Sequence, residues 1–361
     1  LIEGSLTDRI GKPNPPITMR HLPLLILTLI VVPQTGAAQE QAFSDLPADH
    51  YAFEAVTFLK SEGIISGYDD GTFRPSNPVN RAEALKIIVA PLVTDVQLDQ
   101  AKLANTVFLD INNDDWYKPY VELARASGIV DGPPKKEKFN GGNSVIKVEF
   151  MKMVQEAFGA DPQTSFSEIK IPLSQDVTNT DEWYYPYMRY GITSSMIMIS
   201  GDGMLSPAKE LTRAETAVIL YRYIMYENNR RTQALLSEAE SEILITLAFL
   251  EQNDIVEAEY SSARALLAAR GAHAARPDEG VVQGAVKITE GFRSLVRGYR
   301  AGVSKNFDET IRLAGESWNL AELARKKDGD LSSIADQVQT ISKAMADSAR
   351  AQQSSPPVEG E

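Results

Sequence analysis

Three segments of this chain repeat one pattern at a period of about 66 residues, and a period of that size constrains architecture more than any single element does. The first copy, FSDLPADHYAFEAVTFLKSEGIISGYDDGTFRPSNPVNRAEALKIIV, runs from Phe43 to Val89. The second begins FLDINNDDWYKPYVELARASGIVDG at Phe108 and reaches NSVIKVEFMKMV at Val154. The third opens at Asp176 and continues to TRAETAVILYRY, ending at Tyr223. Several landmarks keep register through all three: Asp45, Asp110 and Asp176; Glu83, Glu149 and Glu215; Tyr51, Trp116 and Trp183. The repeats are placed at 43–92, 106–160 and 172–226.

Each copy has the same local logic. An Asp and an aromatic residue precede a helix, with Pro119 and Pro186 placed for a first turn, where a missing N–H costs nothing. Apolar residues then recur at helical spacing, as in Ala55, Val56 and Leu59 or Tyr120, Val121 and Ala124. Gly63 and Gly128 are expected to cap that helix in the left-handed conformation, while copy three has Ser195 at this position. A glycine-rich turn leads to a second helix, starting at Asn80-Arg81-Ala82-Glu83 and at Thr212-Arg213-Ala214-Glu215. The latter reads as a capping box, with the Thr hydroxyl on the N3 amide and Glu reaching back. Copy two has Ile146-Lys147-Val148-Glu149 there and loses the polar cap. One helix pair cannot bury its own apolar face. Three packed copies can, which predicts an all-α, pseudo-three-fold triplet of helix–loop–helix repeats.

Beyond Tyr226 the character changes. Residues 228–350 hold little proline, much alanine, glutamate and leucine, and helical apolar spacing. Leu235, Leu236, Ile243, Leu247 and Leu250 form one expected face; Val282, Val286, Phe292, Leu295 and Tyr299 another; Ile311, Ala314, Trp318 and Ala321 a third. Breaks fall near Asn253-Asp254, Arg276-Pro277-Asp278, Asn306-Phe307-Asp308 and Asp328-Gly329-Asp330. The expectation is a separate antiparallel bundle of four or five helices, and less readily a tetratricopeptide-like array. His273 is expected in an alanine-rich linker, and 351–361 as a disordered tail.

Composition narrows the function. A formal net charge of −13 argues against a general role on nucleic acid. No cysteine is present, which removes disulfides, thiol nucleophiles and cysteine metal sites, and three histidines leave little for a metal cluster or a His-based triad. No cofactor or metal is implied. Met19, Arg20 and His21 precede the apolar run Leu22 to Val32 and then Thr35-Gly36-Ala37-Ala38. That order reads as an export signal cleaved after Ala38, with 1–18 an over-extended start. The mature chain is expected to have no integral membrane segment. The loop acids Asp69, Asp70 and Asp202 lack calcium-loop spacing and are read as turn formers.

The repeated pattern Phe-x-Asp, aromatic, GII-x-GY-x-DG-x-F-x-P and (N/T)RAE resembles the S-layer homology domain family, over about half the chain. The resemblance implies non-catalytic binding of secondary cell-wall polysaccharide or a peptidoglycan-linked polymer, in grooves between neighbouring repeats. It also implies that the arginine of the TRAE-like motif meets the acidic sugar substituent, which carries over to Arg81 and Arg213, with Lys147 in copy two. Arginine at a helix N-terminus opposes the macrodipole, and beside exposed amides it makes an anion site with a fork suited to a carboxylate. Lysine lacks that fork, so Arg81 is expected to form the best groove, Arg213 the next and Lys147 the weakest. Glu83 and Glu215 are candidate contacts that serve first as caps. Trp116 and Trp183, with Tyr51, are candidate sugar platforms but are read rather as core. Asp45, Asp110 and Asp176 complete the candidate set.

An exported, non-catalytic, wall-anchored protein is the leading expectation, with residues 228–350 as a stalk or interaction module. A wall-anchored hydrolase with catalysis in 228–350 is one alternative, although that segment shows no nucleophile elbow, phosphate loop or zinc-binding motif. A tether that self-associates through 228–350 is another.

Overall fold

The computed structural model describes residues 42–354 apart from 133 and 134. The expected start extension, export signal and cleavage site after Ala38, and the end of the tail at 355–361, lie outside the described residues. Contacts gather into two compact units: residues 42–145 with 210–221, and 146–209 with 222–354. The change in sequence character at Tyr226 is therefore not where the compact units divide.

In the first unit lie α1 (Phe53–Ser61), α2 (Arg81–Val89), α3 (Asp95–Leu103) and α4 (Lys118–Ala126). The second holds α5 (Lys147–Ala157) and α6 (Tyr185–Thr193), and α7 (Arg213–Glu227) crosses the division at Tyr221. Among the described residues all regular structure is helical, as the repeat pattern predicts. The turn that ends each first helix is left-handed in every copy: Gly63 at φ 70°, Gly128 at φ 77° and Ser195 at φ 56°. Ser195 bears the strain of that conformation, and its hydroxyl is held by Glu238 at 2.6 Å. Pro119 and Pro186 sit in first turns. Helix α3 was not foreseen, although Thr94 and Gln97 form a complete capping box at its start.

The copies hand over to one another in cyclic order. The first two amides of α2, from Arg81 and Ala82, donate to the carbonyls of Asn143 and Gly141 in the copy-two loop. Those of α5, from Lys147 and Val148, donate to Lys209 and Pro207 of copy three. Those of α7, from Arg213 and Ala214, return to Asn77 and Pro75 of copy one. Val79, Val145 and Leu211, one per copy and all buried, close a ring of backbone bonds at 3.0 Å each. Helix ends that would otherwise leave amides unpaired thereby stitch one copy to the next.

Caps differ as the sequence predicts, with one addition. Asn80 forms a full capping box with Glu83, as Thr212 does with Glu215. Ile146 offers α5 no side-chain cap. Replacing it with threonine, the copy-three residue, is expected to raise stability by about 1 kcal/mol. Urea denaturation with an unchanged m-value checks this.

The second unit carries α8 (Thr232–Glu251), α9 (Ile255–Ala275), α10 (Gly280–Val303), α11 (Phe307–Lys327) and α12 (Ser332–Ser354). These five helices break where expected, with Asp254 and Asn306 capping α9 and α11. Their short connections make consecutive helices antiparallel neighbours. Ile243, Ile288, Phe292, Leu295, Ala321 and Val338 meet in a shared core. Alanine lets helices approach closely, and Gly271 closer still: a Cβ there would lie 1.7 Å from the Thr193 carbonyl oxygen of α6. Arg264 is buried and grips Glu242 through Nε at 2.7 Å and Nη2 at 2.8 Å, while its Nη1 donates to the Leu173 carbonyl at 2.7 Å.

Three expectations need correction here. His273 is in the last turns of α9, not in a linker, because the alanine run around it is a good helix former. Trp318 is 40% exposed rather than core, while Ala314 and Ala321 of the same expected face are buried and Ser317 takes the inward place beside it. Residues 351–354 continue α12 rather than belonging to a disordered tail.

Candidate functional site

The repeated aspartates are occupied by the fold. Asp45 accepts the amides of Phe73 and Arg74, both at 2.7 Å; Asp110 accepts those of Phe139 and Asn140; Asp176 accepts those of Leu205 and Ser206. Each carboxylate bridges the start of its copy to the far end of the loop. Arg74, Asn140 and Ser206 stand at the same register, each with φ above 50°, and the clamp holds that left-handed bend. These residues are loop clamps.

Burial on its own would raise the Asp176 carboxyl, but hydrogen bonds from Leu205, Ser174 and Ser206 outweigh it and keep it below the ordinary carboxylate range. A depressed folded pKa contributes stability that is complete above the unfolded value of about 4 and is lost as pH falls through the folded value. Asp176→Asn should therefore lower Tm at pH 7 and lose that deficit progressively below about pH 4. Thermal melts from pH 7 down to 2 check it, and a pH-independent deficit would contradict the clamp.

The loop acids behave as turn formers. The Thr72 hydroxyl, then Arg74, hold Asp70 down at about 2, and Asp202 accepts the Met204 amide across its own turn.

The three basic residues at the N-termini of the second helices differ in surroundings. Arg213 sends Nε to the Phe73 carbonyl at 2.8 Å and Nη2 to the Ser66 carbonyl at 3.1 Å. Its guanidinium lies 4.7 Å from the Phe73 ring centroid and 5.0 Å from that of Tyr68. The two carbonyls and two ring faces offset the unfavourable helix dipole. Among the described residues Nη1 makes no hydrogen bond, and no carboxylate lies within ion-pair distance of Arg213. Lys147 directs Nζ to the Leu205 carbonyl at 2.6 Å, the register equivalent of Phe73. Arg81 stands 5.2 Å over Phe139.

Arg213 borders a groove of about 270 Å³. The copy-one loop supplies Ser66, Tyr68 and Phe73, α2 supplies Glu83 and Lys86, and Trp116 forms part of the wall. Arg213 is the arginine lining this groove, framed by the compact GIISGYDD turn of copy one. Arg81 faces copy two, whose loop from Gly128 to Phe139 is one residue longer than that from Gly63 to Phe73.

Two further corrections concern the site. The N-terminal amides expected to face an anion are taken: the first two of α7 by Asn77 and Pro75, and that of Glu215 by the Thr212 hydroxyl at 3.3 Å. At Arg213 the guanidinium, and not these amides, keeps hydrogen-bond donors to spare. The repeating rings are not core. Tyr51 is 66% exposed, Trp116 53% and Trp183 55%. They precede the first helices on the outer side of the turn, where Tyr117 and Tyr184 pack edge-on against the two tryptophans.

Lys86 was not singled out from sequence, yet it sits 5.6 Å from the Trp116 ring centroid and adds a second cation to the groove. Its equivalent, Lys152, lines a cleft with Trp183 in the second unit. The shared register of Lys86 with Lys152 and of Trp116 with Trp183 is the signal that exposes this pairing. Copy three has Val218 at the lysine position. Glu83 also borders the Arg213 groove, but Oε2 accepts the Asn80 amide at 3.0 Å. Glu215 caps Thr212 in the same way at 2.9 Å.

The groove thus combines an arginine with donors to spare, a lysine, an exposed indole and a tyrosine face. Cations and ring faces thus stand side by side along the groove, with Arg74 also stacked over Tyr68 at 3.8 Å. Its volume of about 270 Å³ lies just below the range of ligand pockets, about 300 to 1,000 Å³.

Residues 42–85, 107–150 and 175–217 each match the S-layer homology domain. Over 197 residues the chain is 28% identical to the surface-layer 125 kDa protein of Lysinibacillus sphaericus, covering 54% of this chain and 16% of that protein. Over 187 residues it is 26% identical to the S-layer protein sap of Bacillus anthracis, covering 50% and 21%. It is also 28% identical over 197 residues to an uncharacterized cell wall amidase of Bacillus anthracis, covering 53% and 33%. The chain spans a third or less of the length of each of these relatives.

Proposed function

The chain carries three S-layer homology domains, and from that premise we propose that it is a non-catalytic anchor that grips an acidic cell-wall polysaccharide through the Arg213 groove. Similarity to S-layer proteins supports a place at the cell surface. No helix of the described residues is long and apolar enough to cross a membrane. The observation that carries the reading is Arg213: a guanidinium fixed through Nε and one Nη, with Nη1 unspent, beside Lys86 and Trp116. A carboxylate or pyruvate-like substituent would meet that fork, and the neighbouring sugar would lie against the indole.

The groove is poorly equipped for hydrolysis. Glycosidases use two carboxyl groups across the scissile bond. Glu83 is the carboxylate on this groove, and it is committed to capping α2. Residues 228–350, which form part of the five-helix region, are read as the module that the repeats hold in place.

Co-sedimentation of the full chain with purified cell walls tests the anchor, with saturable pelleting that free acidic wall saccharide competes away as the expected result. Pelleting no greater than that of an unrelated acidic protein would refute it. Release of sugar or peptide from those walls by the purified chain would refute the non-catalytic half of the reading.

A further inference from the structure

Helix α10 presents a second concentration of cations. Arg293, Arg297 and Arg300 follow one another at positions i, i+4 and i+7, which places them on one face. They line a cleft of about 440 Å³ together with Glu259, Ser304 and Asn306. Arg300 is spoken for: its Nη1 donates to both Glu259 oxygens, at 2.7 and 2.9 Å. Glu309 at the edge of the cleft is likewise held by Arg312, at 2.7 and 2.8 Å. Arg293 and Arg297 have no such partner. The Nη1 of Arg293 is buried without a hydrogen bond, and among the described residues no carboxylate lies within ion-pair distance of either guanidinium.

That arrangement is costly. Burial, and then the charge of Arg297, push the Arg293 guanidinium down from its ordinary value, with the Glu259 carboxylate and Tyr185 only partly offsetting them. Like charges four residues apart on a helix repel, and a buried donor without a partner forfeits its hydration. An oxyanion between the two forks removes both penalties at once. A carboxylate brings two oxygens and a single negative charge, which leaves one of two neighbouring guanidinium charges unbalanced. A phosphate group offers three oxygens and up to two charges, enough for two forks together.

We propose that the α10 cleft is a phosphate site, in which Arg293 and Arg297 clamp the phosphoryl oxygens and Ser304 and Asn306 border the space for whatever carries the phosphate. It lies within the second compact unit and depends on neither Arg213 nor wall binding.

The test is calorimetric titration of the full chain, in phosphate-free buffer, with inorganic phosphate and with glycerol 3-phosphate. One saturable site is expected for at least one probe, weakened tenfold or more by Arg293→Gln and by Arg297→Gln, and unchanged by Arg213→Ala. Arg297 is exposed, so Arg297→Gln keeps the test informative if Arg293→Gln misfolds; a circular-dichroism melt verifies its fold. Tighter binding of glycerol 3-phosphate supports a site that also contacts the carrier, and equal binding supports one for the phosphate group alone. Absence of saturable binding for both probes, or binding that survives Arg297→Gln, overturns the proposal.

Discussion

Arg213→Ala is expected to abolish pelleting with purified cell walls, weakening the interaction by about 10- to 100-fold, the value of one or two charge-assisted hydrogen bonds at about 1.5–3 kcal/mol. The same change at Arg81 should cost less than about threefold, because Arg213 and not Arg81 lines the groove. Arg213 also braces the copy-one loop through the Phe73 and Ser66 carbonyls, so loss of binding in the alanine variant has two readings. Arg213→Lys separates them. Lys147 shows that a lysine at this register reaches the equivalent carbonyl, of Leu205. A lysine variant should therefore keep its Tm while losing most of the affinity, since the planar fork is gone. Full retention of pelleting by Arg213→Ala would remove the groove from the mechanism.

The largest effect on stability is expected at Arg264. Truncation to alanine strands Glu242 and takes a donor from the Leu173 carbonyl, and breaking a buried pair in this way costs about 3–5 kcal/mol. Burial already raises the Glu242 carboxyl, with Arg264 working against that. Without the arginine, Glu242 would sit higher still and take up a proton on folding. A raised folded pKa penalises the native state above that value and spares it below the unfolded value of about 4.3, so the deficit should shrink as pH falls toward 4. Urea denaturation at pH 7 and at pH 4 measures this. The double variant Arg264→Met with Glu242→Leu should recover much of the loss, because apolar packing replaces buried ion pairs at little cost. A deficit below about 1 kcal/mol for Arg264→Ala at pH 7 would show that the pair is not structurally isolated from water.

Much of the fold was legible because it is written three times. Landmarks such as Asp45, Asp110 and Asp176 fix the period, and proline, glycine and the capping residues fix helix ends, all through local chemistry. The breaks in the helical half were readable for the same reason. What could not be read was which side of an element faces outward. Trp116 and Trp183 keep the same register as core residues do, and sequence periodicity does not separate a conserved inward ring from a repeated outward one. The different surroundings of Arg81 and Arg213 were equally hidden, since the two motifs are alike and the difference lies in the loop each one meets after chain folding. The aspartates show a related limit: an acidic landmark suits a clamp for two amides as well as it suits a ligand contact, and only the position of Phe73, Phe139 and Leu205 decides. Asn80 and Thr94 are different. Their boxes, Asn-x-x-Glu and Thr-x-x-Gln, are present in the sequence.

Arg213 reaches back 140 residues to Phe73 and 147 to Ser66. Contacts that distant in sequence form late and slowly, since the intervening chain must first be ordered. A chain that ends before residue 213 would possess the copy-one loop, Lys86 and Trp116 but would have no completed grip. Under the proposed anchoring role, attachment at this groove would act as a check on synthesis, since it needs a chain made through to the third repeat.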